Sequence, residues 1–514
     1  MIAPRGLIAA ASALALSACS LAPKYVTPTP PVSQGWPVGD TYLAQTEAGL
    51  PVVSYAEIFR DPRLQQLITR ALANNRDIRV AAANLAAARA QVRVIRADQF
   101  PSLNVTGSAT YSDRGNGSGT LIPGTGGTGS GGNVGGGTGG TGGTGGNNGG
   151  TIVGGNGNGN GWNYRLQGGI SSFELDFFGK YANATQSQRE TALATEAAAR
   201  TVRLGLIADL AQAWAAYGSD RDLLQLAEAT AKNAQRSVDL TRLRLRGGVA
   251  PRTDLRQAEQ VLETARGDLA QQRAALAQDA NVMRLLIGAE FSEALLPASI
   301  SEVLAAYGTL PAGTNSQVLL RRPDVVQAEY ELRATNADIG VARAQLFPSI
   351  SLTGLLGVAS NALSSLFSGG AFNWSAGANA SYNIFNAGGR IANVEVSKAR
   401  RDAALASYER AVQSAFREVA DALADQGTLG ERLRAAGANT AAAADTARLS
   451  EARYRYGVDA FLSSLDAQRS LYSAQRSEIA TRLALASNRV TLYRVLGGDA
   501  STATPAGAEP ERRR

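Results

Sequence analysis

The chain contains no histidine and a single cysteine. Without histidine it lacks the usual general base, the commonest metal ligand and the side chain that titrates nearest neutral pH. One cysteine permits neither an intrachain disulfide nor a thiolate metal cluster. Aromatics make up only 6% of the 514 residues although 44% are hydrophobic, with alanine abundant throughout. That balance excludes wholesale disorder and favours thin helix-on-helix packing over one thick core. Most enzyme chemistry is excluded with the histidines, carboxylate or lysine catalysis apart. The sequence implies no catalytic residue, cofactor or metal. The net charge of +7, from 50 basic and 43 acidic residues, is interspersed along the chain apart from Arg512-Arg513-Arg514. A clustered basic stripe would mark a nucleic-acid partner, and none is present.

The first 18 residues read as a signal peptide: Arg5 is followed by an apolar run, Leu7 to Leu16, too short to cross a bilayer. Leu16-Ser17-Ala18-Cys19 resembles the bacterial lipobox, whose cysteine is acylated and becomes the mature N-terminus. The one cysteine of the chain stands at that position. Each acyl CH2 buried in lipid contributes about 0.8 kcal/mol of anchoring. Ser20 rather than Asp follows, which by the same resemblance implies sorting to the outer membrane. Residues 19–54 read as a lipidated tether, since residues 20–51 include six prolines.

Two segments of the chain repeat each other. Asp77–Ser102 aligns with Asp324–Ser349 without a gap, 11 of 26 positions being identical, and each copy ends in Phe-Pro-Ser. Arg284-Leu285-Leu286-Ile287-Gly288 is echoed by Tyr493-Arg494-Val495-Leu496-Gly497. The first match is offset by 247 residues and the second by 209, so the first copy carries 38 extra. The tract 115–161 supplies them: 25 of its 47 residues are glycine and none is charged. Such a stretch cannot offset its ordering entropy by burial and is expected to be a loop. It lacks the Lys and Ser/Thr spacing of a phosphate-binding loop. The organisation expected is a first repeat over 55–305, a second over 306–498 and a disordered tail over 499–514.

Long proline-free runs permit long helices. Leu255, Leu262, Leu269, Leu276 and Met283 recur every seven residues, and Leu465, Tyr472, Ile479, Ala486 and Tyr493 answer them. Leu405, Tyr408, Val412, Phe416, Val419 and Leu423 step by three and four. These are coiled-coil-like seams. Phe178–Arg246 predicts a helix of 69 residues, whereas Gly427, Gly430 and Gly437 are expected to interrupt its counterpart. After each Phe-Pro the period changes to two. Leu103, Val105, Ala109 and Tyr111 alternate with Ser, Asn and Thr; so do Trp162, Tyr164, Leu166 and Ile170, then Ile350 and Leu352, then Phe372, Trp374, Ala376, Ala378, Ala380, Tyr382 and Ile384. Four strands with one apolar and one polar face match a transmembrane β-barrel with a wet lumen, or a half-buried soluble hairpin. The smallest membrane barrels have about eight strands, so several chains must share one barrel if these strands enter lipid.

The lipobox, Cys19-Ser20-Leu21-Ala22-Pro23-Lys24-Tyr25-Val26-Thr27-Pro28, the duplicated helix-strand-strand-helix plan and the paired Phe-Pro-Ser junctions resemble the TolC-type outer-membrane efflux proteins. Within them the chain resembles the NodT/OprM lipoprotein branch. The resemblance implies a mixed α+β membrane protein, a long α-helical barrel in the periplasm plus a transmembrane β-barrel completed by trimerisation. Four strands per chain then make a twelve-stranded barrel. It implies a passive duct in a tripartite efflux or export system, with a homotrimer, a periplasmic adaptor protein, an inner-membrane pump and outer-membrane lipid as partners.

It also implies an aperture at the turns 247–254 and 454–466. Asp254 matches the family's carboxylate that pairs with a tyrosine at the place of Tyr454, and Asp466 matches a constriction carboxylate. Ser463 replaces a second carboxylate and Asp459 replaces an arginine. Helix capping by Asp254 is the alternative role. Two other functions fit parts of the pattern: the outer-membrane component of a type I protein secretion system, and a lipid-anchored coiled-coil scaffold. A glycan-acting enzyme would need a cleft with paired acids.

Overall fold

The computed structural model describes residues 20–33, 35–37, 54–112, 161–309 and 316–498. The signal peptide, Cys19, almost all of the glycine-rich tract and the tail from 499 lie outside the described residues. The helices are α1 (Tyr55–Ile58), α2 (Pro62–Asn74), α3 (Arg76–Ala97), α4 (Lys180–Arg246), α5 (Arg252–Ile287), α6 (Ile300–Ala306), α7 (Pro323–Ala344), α8 (Gly389–Arg455) and α9 (Phe461–Val495). The strands are β1 (Asn104–Ser112), β2 (Gly161–Glu174), β3 (Ser349–Ser360) and β4 (Phe372–Ser381). Each half of the chain therefore runs through a 22-residue helix, two strands, a 67-residue helix and a helix of 36 or 35 residues.

A helix of 67 residues is about 100 Å long at 1.5 Å per residue. α8 matches α4 in length and runs unbroken through Gly427, Gly430 and Gly437, contrary to the expected interruption. Each glycine costs about 1 kcal/mol relative to alanine in a helix. Neighbouring burial of Leu423 and Leu429 offsets that cost. No helix among the described residues is long and apolar enough to cross a membrane.

The chain divides into two units. The first holds a four-stranded antiparallel sheet in the order β1-β2-β3-β4. Its register sorts the side chains as the alternation requires. Val105, Tyr111, Trp162, Tyr164, Leu166, Leu352, Leu356, Phe372 and Trp374 share one face, while Thr106, Ser108, Asn163, Gln167, Ser351, Thr353, Asn373 and Ser375 share the other. One extra residue between Ile170 and Phe173 forms a bulge that returns Phe173 to the apolar face opposite Leu352. Backbones approach closely beside it: a Cβ on Gly169 would lie 2.1 Å from the Gly354 carbonyl oxygen.

Aromatic rings gather at the hairpin end of the apolar face. Tyr111 meets Trp162 edge-on at 5.6 Å, and Trp162 stacks on Tyr164 at 5.8 Å. Trp374 and Phe372 are largely exposed at the same end. Near the opposite end Phe178 stacks on Phe347, 4.5 Å between centroids. Lys180 Nζ and Tyr181 Oη both donate to Glu174 Oε2 at 2.9 Å, fastening the end of β2 to the start of α4. Within this unit the N-terminal segment is held by Ser20 Oγ donating to Asn183 and Arg343 donating to the Leu21 carbonyl.

The second unit is helical. Its main core joins α2, α4, α5, α6, α8 and α9 through Leu64, Leu67, Ile207, Leu210, Trp214, Met283, Val303, Tyr408, Val412 and Tyr493. Phe59 sits edge-on to both Tyr307 and Tyr493 at 5.1 and 5.2 Å, and Tyr307 Oη donates to the Ala211 carbonyl at 2.6 Å. Trp36 stacks on Phe416 at 4.9 Å, seating the later part of the tether in this core. The heptad positions behave as seams: Leu262, Met283, Leu465, Ala486 and Tyr493 are buried and the intervening members half-buried.

One carboxyl pair between α4 and α5 responds to pH. Asp279 is pushed up to about 7 by burial, by the charge of Asp220 and by a hydrogen bond between the two side chains. Burial also raises Asp220. Because the native state holds this proton more tightly than the unfolded chain, stability declines as pH rises from about 4 to about 7 and then levels. Asp279→Asn removes that decline. Thermal melting in detergent is expected to show the variant more stable at pH 8 by on the order of 1 kcal/mol, after allowance for solvent screening, with no gain at pH 4.

Candidate functional site

The expected aperture residues lie at the tips of two helical hairpins in the second unit, α4–α5 and α8–α9. Both tips close in the same way. Gly248 and Gly457 take left-handed backbone, φ +73° and +75°. The Gly248 and Val249 amides donate to the Leu245 and Arg244 carbonyls at 3.1 and 3.0 Å; those of Gly457 and Val458 donate to Tyr454 and Arg453 at 3.0 and 2.9 Å. These bonds satisfy carbonyls that the last helical turn leaves free, and glycine adopts the required φ without strain. The tips expose Val249, Tyr456 and Val458.

Tyr454 is 6% exposed, in a small core with Val238, Leu262, Phe461 and Leu465 that joins the two hairpins. Its ring lies 5.1 Å from Phe461 and 4.5 Å beneath the Arg244 guanidinium, which also donates to the Tyr454 carbonyl at 3.2 Å. The Tyr454 hydroxyl is buried without a hydrogen-bond partner among the described residues. Asp254 stands in the first turn of α5, where the helix dipole favours a carboxylate. Pro251, not Asp254, occupies the capping position. The side chain of Asp254 makes no hydrogen bond or ion pair among the described residues, so the Asp254–Tyr454 bond implied by the resemblance is not made within one chain.

Asp459 forms a two-pronged ion pair across its own turn, Arg453 Nε and Nη2 meeting its two oxygens at 2.6 and 2.9 Å. That hydrogen bonding holds the Asp459 carboxyl below the ordinary carboxylate range and raises Arg453. The contact therefore persists at neutral pH and is lost only as pH falls through the lowered value. Asp466 lies beside the buried seam residue Leu465 on an exposed flank of α9, with Arg469 at 3.8 Å. The structure thus brings Tyr454 into a hairpin-joining core and leaves Asp254 and Asp466 outside it. Sequence reasoning missed Arg244 and Arg453. Both are basic residues in the last turn before a Gly closure, a position that favours cations.

Tyr454→Ala removes a buried ring, a loss of about 3–5 kcal/mol of local stability. Hydrogen–deuterium exchange is expected to accelerate at both hairpin tips. Tyr454→Phe removes only a hydroxyl without a partner and is expected to leave exchange unchanged.

The sequence profile of the outer membrane efflux protein family matches residues 67–289 and 315–498. The chain is 38% identical over 495 residues to the probable efflux pump outer membrane protein TtgC of Pseudomonas putida, covering 95% of this chain and 94% of that protein. It is 35% identical over 499 residues to the cation efflux system protein CusC of Escherichia coli K12, covering 97% and all of its relative. Among solved structures, the open-state MtrE outer membrane channel of Neisseria gonorrhoeae superposes with a TM-score of 0.75 at 30% identity, covering 94% of this chain and 98% of that one. On the extent of the profile match and of these full-length likenesses, the chain belongs to the outer membrane efflux protein family.

Proposed function

We propose that three copies of this chain pool their sheets into one twelve-stranded outer-membrane barrel and serve as the passive duct of a tripartite efflux system. The observation that carries this reading is the sheet itself. Its order leaves one side of β1 and one side of β4 without a strand partner among the described residues. Its apolar face exposes Val105, Leu356, Phe372 and Trp374. In hydrocarbon each unsatisfied backbone group costs several kcal/mol, so β1 must pair with β4 of a neighbouring copy. The polar face then lines the lumen, and the aromatics at the hairpin end sit at the membrane interface.

In this reading acylated Cys19 anchors the chain to outer-membrane lipid and no resident cofactor is needed. The four long helices per chain extend the duct into the periplasm, where a periplasmic adaptor and an inner-membrane pump deliver cargo. Two relatives carry efflux pump or efflux system in their names, which supports the assignment of such partners. The hairpin tips form the aperture. Asp466, exposed beside the seam, supplies a threefold carboxylate ring that concentrates negative potential on the axis. Asp254 at the start of α5 is the carboxylate available for a latch, Tyr454 joins the two hairpins beside it, and the Arg453–Asp459 pair stiffens the turn that follows.

Planar-bilayer recording of the purified mature protein tests the duct and the ring together. Discrete pores with cation preference are expected. Asp466→Asn is expected to lower the cation-to-anion permeability ratio and to weaken block by divalent cations. No conductance at all contradicts the duct; pores with unaltered selectivity in the variant remove Asp466 from the aperture.

A further inference from the structure

Between the two long hairpins, inside one chain, lies a cavity of about 640 Å³ walled by α4, α5, α8 and α9. Its lining is amphipathic: Leu226, Leu240, Val261 and Leu471 contribute apolar surface beside the ring of Tyr472. Four arginines also line it, Arg236, Arg448, Arg455 and Arg469, against two carboxylates, Asp268 and Glu451. Most of these charges have partners. Arg455 pairs with Glu451, Arg448 meets Asp445 at 2.6 Å, and Asp268 accepts from Tyr472 Oη at 3.2 Å. Arg236 has no ion-pair partner among the described residues, and Arg469 is held only at 3.8 Å by exposed Asp466. The lining therefore has spare positive charge beside an apolar wall, the complement of a molecule with one anionic head and a compact apolar body.

We propose that this cavity binds a small amphipathic organic anion, an aryl or alkyl sulfonate or carboxylate, with Arg236 and Arg469 receiving the head group. All four helices that wall it belong to one chain. A bound molecule touches both hairpins at once, since residues of α4, α5, α8 and α9 all line the cavity.

The test is titration of naphthalene-2-sulfonate into the detergent-solubilised mature protein, followed by calorimetry and by saturation-transfer NMR. The neutral 2-naphthalenemethanol serves as the reference. The sulfonate is expected to bind once per chain, about tenfold or more tightly than the alcohol, and to weaken as salt rises. Arg236→Glu is expected to reduce sulfonate affinity by about tenfold or more while leaving the alcohol unaffected. Ala444→Trp, which adds bulk at the lining without changing charge, is expected to abolish both signals. Melting temperature and migration of both variants report that they remain folded. Equal affinity for sulfonate and alcohol, or full sulfonate binding in both variants, overturns the proposal.

Discussion

Backbone amides and carbonyls at the edge of a sheet must find partners, and hydrocarbon offers none. That constraint governs this fold. The described residues supply a sheet of four strands with an apolar and a polar face, and none of them covers the outer sides of β1 and β4. Tyr111, Trp162, Phe372 and Trp374 stay exposed on the apolar face of an isolated chain, a pattern suited to lipid rather than water.

The long helices answer a different requirement. They are thin and rich in alanine, so each pair buries a narrow seam rather than a thick core, and their length comes from the absence of proline. Their stability is concentrated in two places: the aromatic core around Phe59, Trp214, Tyr307 and Tyr493, and the small cluster around Tyr454 near the tips. Between these lies the Arg-lined cavity. Asp279, half-buried and raised by the charge of Asp220, adds a point of charge strain along α4 and α5.

Much of this was legible from residue order. The seven-residue spacing from Leu255 to Met283 named a seam whose members are buried or half-buried, and the period-two runs after Phe100 and Phe347 named both faces of the sheet. The offsets of 247 and 209 recur as matched helices at 76–97 and 323–344 and at 180–246 and 389–455. What was not legible depends on three-dimensional neighbours. Three glycines in α8 looked like breaks because a propensity scale does not see Leu423 and Leu429 buried around them. The bulge at 170–173 depends on where β3 lies, and no local pattern announces it. At the tips, side-chain types identified Asp254 and Tyr454 but not their orientation. Tyr454 turns into a core under Arg244, and Asp254 does not reach it.

Engineered disulfides between the two free edges test the central claim most directly. β1 and β4 are separated by β2 and β3, about 14 Å at the usual strand spacing, so no disulfide joins them within one chain. Cysteine at Ala109 of β1, combined in turn with cysteine at Ala376, Ala378 or Ala380 of β4, is to be oxidised in intact outer membranes. The account predicts that at least one pairing gives a covalent ladder ending at the trimer. Chains that remain monomeric in every pairing, while correctly inserted in the outer membrane, contradict it.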